Sequence, residues 1–230
     1  GVVEGSINSE RLISMLNIAN GELVLDNKGV SSVQKFLVSR SLMYWQVYMH
    51  KSVVAAENML VKIIERAQWL LAQKDDAIKT GTVLDYFLSE FTGKLADVDL
   101  NAYCQLDDTD ILSAIKKWQH HQDPVISLLC NRLLNRKLFK CKMQDKPISA
   151  SEWEAAYALV KAKFPMNEKD LSFLCFKGEA TNTLYKNDGE TIKILLKTGQ
   201  ISTISQIQNA LINESLSAPV KKFYICLLNE

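Results

Sequence analysis

From Ser31 to about Gln73 the chain runs through some forty residues without a Gly or a Pro. Val33, Phe36, Leu37, Met43, Val47, Val54, Met59, Val61, Ile64 and Leu71 recur through it at close to helical intervals. A helix of that length rarely stays straight on a globular core, so the stretch is expected to bend or break. A chain built around it is mainly α.

Shorter elements flank it. Ser6 to Asn17 reads as a helix, with Ile7, Leu12, Ile13, Met15 and Leu16 on its apolar face and Ser6, Asn8 or Ser9 as cap. Glu22–Leu25 reads as a strand. Asp26-Asn27-Lys28-Gly29 then turns the chain, with Gly29 open to positive φ. Thr82–Phe91, Asp108–His120 and Pro124 to about Lys137 read as helices, Pro124 suiting a first turn. Ser149 or Ser151 to Phe164 is another, with a capping pattern from Ser151 to Glu154, and Pro165 stops it.

After Pro165 the character changes. Leu171–Phe176 and Thr191–Leu196 read as strands, and Asn187-Asp188-Gly189 is a turn that would pair Thr183–Lys186 with Thr191–Leu196. Ser202–Leu211 reads as a short helix and Lys221–Leu227 as a final strand. The expected organisation is a helical body over residues 1–165 and a small α+β unit over 166–230. No internal repeat is visible.

Charge and cysteine usage narrow the function classes. A net charge of +1 gives no global field to recruit nucleic acid or an anionic membrane, so neither is an expected partner. No run of apolar residues is long enough to span a bilayer. Gly1–Ser6 lacks the basic start and apolar core of a signal peptide and has no initiator Met, which fits an excised or processed chain. The five cysteines, Cys104, Cys130, Cys141, Cys175 and Cys226, form no CxxC pair. They fit reduced thiols packed as small core residues, hence a cytoplasmic protein.

No phosphate-binding P-loop, dinucleotide-binding glycine pattern, nucleophile elbow or HExxH motif is present. His120-His121 sits at a helix end before Pro124, where neighbouring side chains diverge and polar groups commonly meet solvent; a joint metal site is not expected. Asp107, Asp108 and Asp110 suit a helix N-terminus. Arg132, Arg136 and Lys140 could share a helix face, either solvated or forming a phosphate or nucleic-acid patch.

The segment Arg40-Ser-Leu-Met-Tyr-Trp-Gln-Val-Tyr-Met-His-Lys51 places rings and cations close together. Arg can fork onto phosphate oxygens and Tyr can stack on a base or sugar. Rings at helical spacing also commonly pack as core, so both readings stand on spacing alone.

From Phe36 to Lys51 the sequence resembles the HD-domain phosphohydrolases related to deoxynucleoside triphosphate triphosphohydrolases. The likeness begins at Gly1–Ile7 with Glu10–Ile13, continues through Leu106–Ile111 and Arg132–Lys140, and ends in the α+β tail. The resemblance implies an HD-type helical body and an enzyme that releases triphosphate from a deoxynucleotide with a divalent metal held by His and Asp residues. It matches Arg40 to a triphosphate-contacting Arg and Tyr48 to a ring packed on the sugar or base, and it leaves Tyr44 and Trp45 as packing or pocket lining; Arg40, Tyr44 and Tyr48 are the expected substrate-binding residues. Arg11, Lys28 and Lys51 match positions that contact a regulatory nucleotide between subunits, and the relatives assemble as dimers or tetramers.

The family's His-Asp metal ligands are absent, so this chain is expected to supply no catalytic and no metal-binding residue. The resemblance places those ligands upstream of Gly1, and the chain is expected to be inactive alone, as the C-terminal part of such an enzyme. The alternative is a non-catalytic helical interaction or regulatory module.

Overall fold

The computed structural model describes residues 7–92, 94, 97–182, 191–207 and 220–229. The elements in chain order are α1 (Ser9–Ser14), β1 (Leu16–Ala19), β2 (Glu22–Asp26), α2 (Val30–Met43), α3 (Lys51–Ala72), α4 (Leu84–Ser89), α5 (Asp97–Gln105), α6 (Asp108–Trp118) and α7 (Pro124–Leu134). Then come β3 (Lys140–Gln144), α8 (Ala150–Lys163), α9 (Glu168–Leu174), β4 (Cys175–Asn182), β5 (Lys193–Leu195), β6 (Ile201–Thr203) and β7 (Val220–Leu227). The fold is mainly α with small sheets, as the helical periodicity implies. Contacts group the chain into one unit of residues 1–50 and 179–222 and another of 51–178 and 223–230. These units follow spatial contacts and do not coincide with the change of character at Pro165.

In the first unit, α2 packs Val33 and Leu37 against Leu25, Ile194 and Ile204 to make a small core. The sheet runs β1-β2-β5-β6. Asn20 and Gly21, with φ of 54° and 77°, form the tight turn between β1 and β2. β2 then pairs in parallel with β5, Leu25 opposite Ile194, and β5 pairs antiparallel with β6. α1 is shorter than the expected Ser6–Asn17 helix: Asn8 caps it, and Leu16 and Asn17 leave it to pair with Leu25 and Val24. Gly29 ends a 3-10 turn with φ of −84°, not positive. Its missing side chain serves a close approach instead, because a Cβ there would lie 2.9 Å from Met15 Cβ.

The long helical stretch does break. α2 passes into a π-helical turn at Tyr44–Tyr48, and α3 restarts at Lys51.

In the second unit, α3 buries Val54, Ala55, Met59, Ile63, Ala67 and Leu70 along one stripe. Trp118 of α6 is fully buried, and its indole N–H donates to Ile78 O at 2.7 Å. Asp107 and Asp110 make a reciprocal cap on α6, confirming those carboxylates as a helix start. Ser149 and Glu152 do the same for α8, so the cap lies two residues before the expected Ser151–Glu154 pattern.

The three-stranded sheet runs β3-β7-β4. Gly178 of β4 is required there, since a Cβ would meet Tyr224 Oη at 2.5 Å. That hydroxyl donates to Asn58 Oδ1 at 2.9 Å.

Several expected elements change type. Leu171–Leu174 belongs to α9, because Asn167 caps Asp170 and lets Leu171, Phe173 and Leu174 bury as a helical face; only Cys175 and Phe176 are strand. Ser202 and Thr203 lie in β6, followed by a 3-10 turn at Ile204–Gln206 rather than a helix. β5 finds its partners in β2 and β6. The expected strand Thr183–Lys186, its turn and residues 208–211 lie outside the described residues, as does the Gly1–Ser6 part of the resemblance.

Candidate functional site

Arg40, Tyr44 and Tyr48 fall four residues apart, the spacing that stacks side chains on one helix face. Val33, Gln34, Leu37 and Ser39 of α2 are buried, which leaves Arg40 on the exposed side. Beyond Arg40 the helix widens: Met49 N–H donates to Tyr44 O at 2.7 Å, one residue further back than an α-helix allows. Such a π turn interrupts a regular face and is frequent at functional sites.

The guanidinium carbon of Arg40 stands 5.6 Å from the centre of the Tyr44 ring. Tyr44 and Tyr48 have ring centres 4.8 Å apart at 39°. With Ile7, Phe36, Ser39 and Met43 these three residues line a cavity of about 270 Å³. Tyr48 is 47% exposed and Trp45 48%, so neither ring is core. Lys222 Nζ stands 5.9 Å from the Trp45 ring centre. Chemically the cavity offers a forked cation beside two tilted aromatic faces, an arrangement suited to an anion attached to a flat or cyclic group. Among the described residues, no carboxylate pairs with Arg40.

The other cations singled out from the sequence are not among the residues that line this cavity. Arg11 Nε donates to Ser32 Oγ at 3.1 Å. Lys28 is exposed in the 3-10 turn after β2. Lys51 belongs to the second unit, at the start of α3, near the Cys141 thiol. Arg132, Arg136 and Lys140 do not share a helix face: Arg132 is in α7, Arg136 has left it with φ of 55°, and Lys140 begins β3.

Sequence reading missed the buried ion cluster of the second unit. Arg66, on the core side of α3, forks onto Asp123 with contacts of 3.1 and 2.6 Å and reaches Asp170 at 2.6 Å. Its guanidinium also stacks 4.2 Å from the centre of Trp69. Burial alone would raise the Asp123 carboxyl, yet the Arg66 hydrogen bond, the Ile126 amide and the guanidinium charge hold it below the usual carboxylate range. With every charge answered, the cluster reads as structural. The available signal was one Arg inside an otherwise apolar helix stripe.

His121 departs from expectation too. Its side chain is 5% exposed instead of meeting solvent, and its Nδ1 accepts the Asp123 amide at 3.0 Å. Among the described residues no three His, Cys, Asp or Glu side chains cluster so as to hold a metal ion. No described helix is long and apolar enough to cross a membrane.

Residues 7–86 match the HD associated region family, a span that includes Arg11, Lys28, Arg40, Tyr44, Tyr48 and Lys51. The chain is 31% identical over 224 residues to the uncharacterized protein YwfO of Bacillus subtilis, covering 94% of this chain and 49% of that protein. Among solved structures it resembles a phosphohydrolase from Bacteroides thetaiotaomicron with a TM-score of 0.85 and 33% identity, over all of this chain and 58% of that one. A hypothetical protein from Aquifex aeolicus shares the fold, with a TM-score of 0.60 and 22% identity over 99% of this chain and 50% of that one. The chain thus spans about half the length of the relatives it matches.

Proposed function

From a chain related to HD-domain phosphohydrolases, we propose a part of a metal-dependent enzyme that hydrolyses deoxynucleoside triphosphates to nucleoside and triphosphate. The observation that carries the reading is the Arg40–Tyr44–Tyr48 cavity, set within the matched HD associated region. Arg40 would neutralise and orient phosphate oxygens through its paired N–H groups, and the two Tyr rings would hold the sugar or base. A ring packed against the sugar disfavours a 2′-hydroxyl by crowding it.

The cavity's size supports a partial site. At about 270 Å³ it falls below the roughly 300–1,000 Å³ usual for a small-molecule pocket, so it takes a portion of a nucleotide. The divalent metal, which polarises the phosphoryl group and its water when bound, finds no donor set among the described residues. Its ligands would lie in the remainder of a longer parent, in line with relatives about twice this length. Arg11, Lys28 and Lys51 would contribute cations to a regulatory nucleotide held between subunits of a cytoplasmic homo-oligomer, a dimer or a tetramer.

Steady-state triphosphate release by the intact parent tests the reading. Arg40→Ala should lower kcat/KM for a dNTP by about 10²–10³-fold, the usual cost of losing one oriented charge donor. Arg40→Lys should recover only part, because the fork is lost. The chain by itself, given Mg²⁺ or Mn²⁺, should release none. Unchanged kinetics in Arg40→Ala would remove Arg40 from the site.

A second reading, a non-catalytic interaction module, is favoured by the apolar surface of the first unit. Ile13, Ile18 and Leu23 are 67%, 73% and 65% exposed around the β1–β2 hairpin. A parent reading frame without an upstream His, His-Asp and Asp pattern would decide for that module.

A further inference from the structure

Cys141 in β3 and Cys226 in β7 stand directly opposite each other in the antiparallel register. Opposed residues in such a pair have Cα atoms about 4.5–5.5 Å apart, within the roughly 4.4–6.8 Å that a disulfide bridges. Both thiols are free, and their side chains share a hydrogen bond. They differ in access: Cys141 is half-buried, whereas Cys226 is fully buried.

Their chemistry differs as well. The Cys226 S–H donates to the Cys141 sulfur and, with the Lys51 charge nearby, outweighs burial to bring the Cys141 thiol below its ordinary range. The same hydrogen bond, with burial, pushes Cys226 upward. The more acidic, more accessible thiol is the one an oxidant meets first.

The remaining cysteines are placed otherwise. Cys130 is buried in α7 with its thiol raised to about 12, and Cys175, buried at the start of β4, is raised to about 11. Cys104 is exposed on α5.

We infer that Cys141 and Cys226 form a reversible dithiol–disulfide pair, with Cys141 as the attacking thiol and Cys226 as the resolving one. Hydrogen peroxide is a sufficient oxidant. The Cys141 thiolate attacks one peroxide oxygen, the O–O bond breaks, hydroxide leaves, and Cys141 becomes a sulfenic acid. The Cys226 sulfur then attacks the Cys141 sulfur, the S–O bond breaks, and the hydroxyl departs as water with the Cys226 proton. Two thiols lose two electrons in total, and the peroxide is reduced to water. The resulting bond pins β3 to β7, and a thiol reductant restores the open pair. This site is independent of the phosphohydrolase reading.

The test treats the full chain with hydrogen peroxide, alkylates the remaining thiols with N-ethylmaleimide, and maps peptides without reduction. The expected product is a Cys141–Cys226 linked peptide, lighter by two hydrogen atoms and lost on treatment with dithiothreitol. In Cys226→Ser, Cys141 should instead accumulate as a sulfenic acid that dimedone captures. Both sulfurs remaining alkylatable after Cys104 has been fully oxidised would overturn the inference. So would a linked peptide that joins Cys175 to Cys226. The wild-type map needs no variant, so misfolding of a substitution leaves the result decisive.

Discussion

Arg66, Asp123 and Asp170 form a buried cluster whose members are only 3%, 11% and 18% exposed at their side chains. Removing one partner from such a cluster strands a charge away from water, which typically costs about 3–5 kcal/mol. Asp123→Ala should therefore lower the free energy of unfolding by about that amount in urea titration. Because the Asp123 carboxyl sits below its ordinary range in the folded chain, its stabilisation is fully present above about pH 4. It is lost as pH falls through the lower folded value. Acid titration of the Asp123→Asn variant should show a flatter loss of stability than the wild type; equal slopes would contradict the assignment. At this scale the sequence was half legible. Arg40, Tyr44 and Tyr48 could be aligned by spacing, but the partners of Arg66 lie 57 and 104 residues away, beyond any local pattern. Gly29 was legible as special, and only the packed neighbours reveal that crowding by Met15 and Leu25, not positive φ, is the reason.

Helices with a complete apolar stripe and a cap could be read directly: α3, α6, α7 and α8 each follow their periodicity to within a few residues. Short segments could not, because four to six apolar residues fit a strand or one helical turn equally well. Asn167 decided for helix at Leu171–Leu174, and pairing with Lys193–Leu195 decided for strand at Ile201–Thr203. The Asn20-Gly21 turn was a hairpin signal in plain view, masked by the helical spacing of Leu12, Met15 and Leu16 beside it. The cap of α8 carries an element-scale prediction. Hydrogen bonds from the Ser149 amide, the Ser149 hydroxyl and Gln144 bring the Glu152 carboxyl down to about 2. Its contribution is thus present above its unfolded value near 4.5 and lost as pH falls towards about 2. The protection of first-turn amides of α8, taken relative to their intrinsic exchange rates at each pH, should fall over that window, and Glu152→Gln should already show the lower protection at neutral pH.

Across the molecule, the matched region at residues 7–86 does not contain its own core. Leu25, Val33 and Leu37 bury against Ile194 and Ile204, which come from far down the chain. Ile194 is fully buried, and Ile194→Ala should cost about 2–5 kcal/mol, read by thermal or urea unfolding. A smaller loss would mean that the first unit does not depend on this strand. The parallel pairing of β2 with β5 also fixes an order of events during translation. Leu25 leaves the ribosome about 170 residues before its partner Ile194, a delay of roughly 10–30 s at ordinary elongation rates of about 5–20 residues/s. Throughout that interval the apolar edge of β2 is without its neighbour, so a nascent-chain chaperone has its greatest leverage at the β1–β2 hairpin.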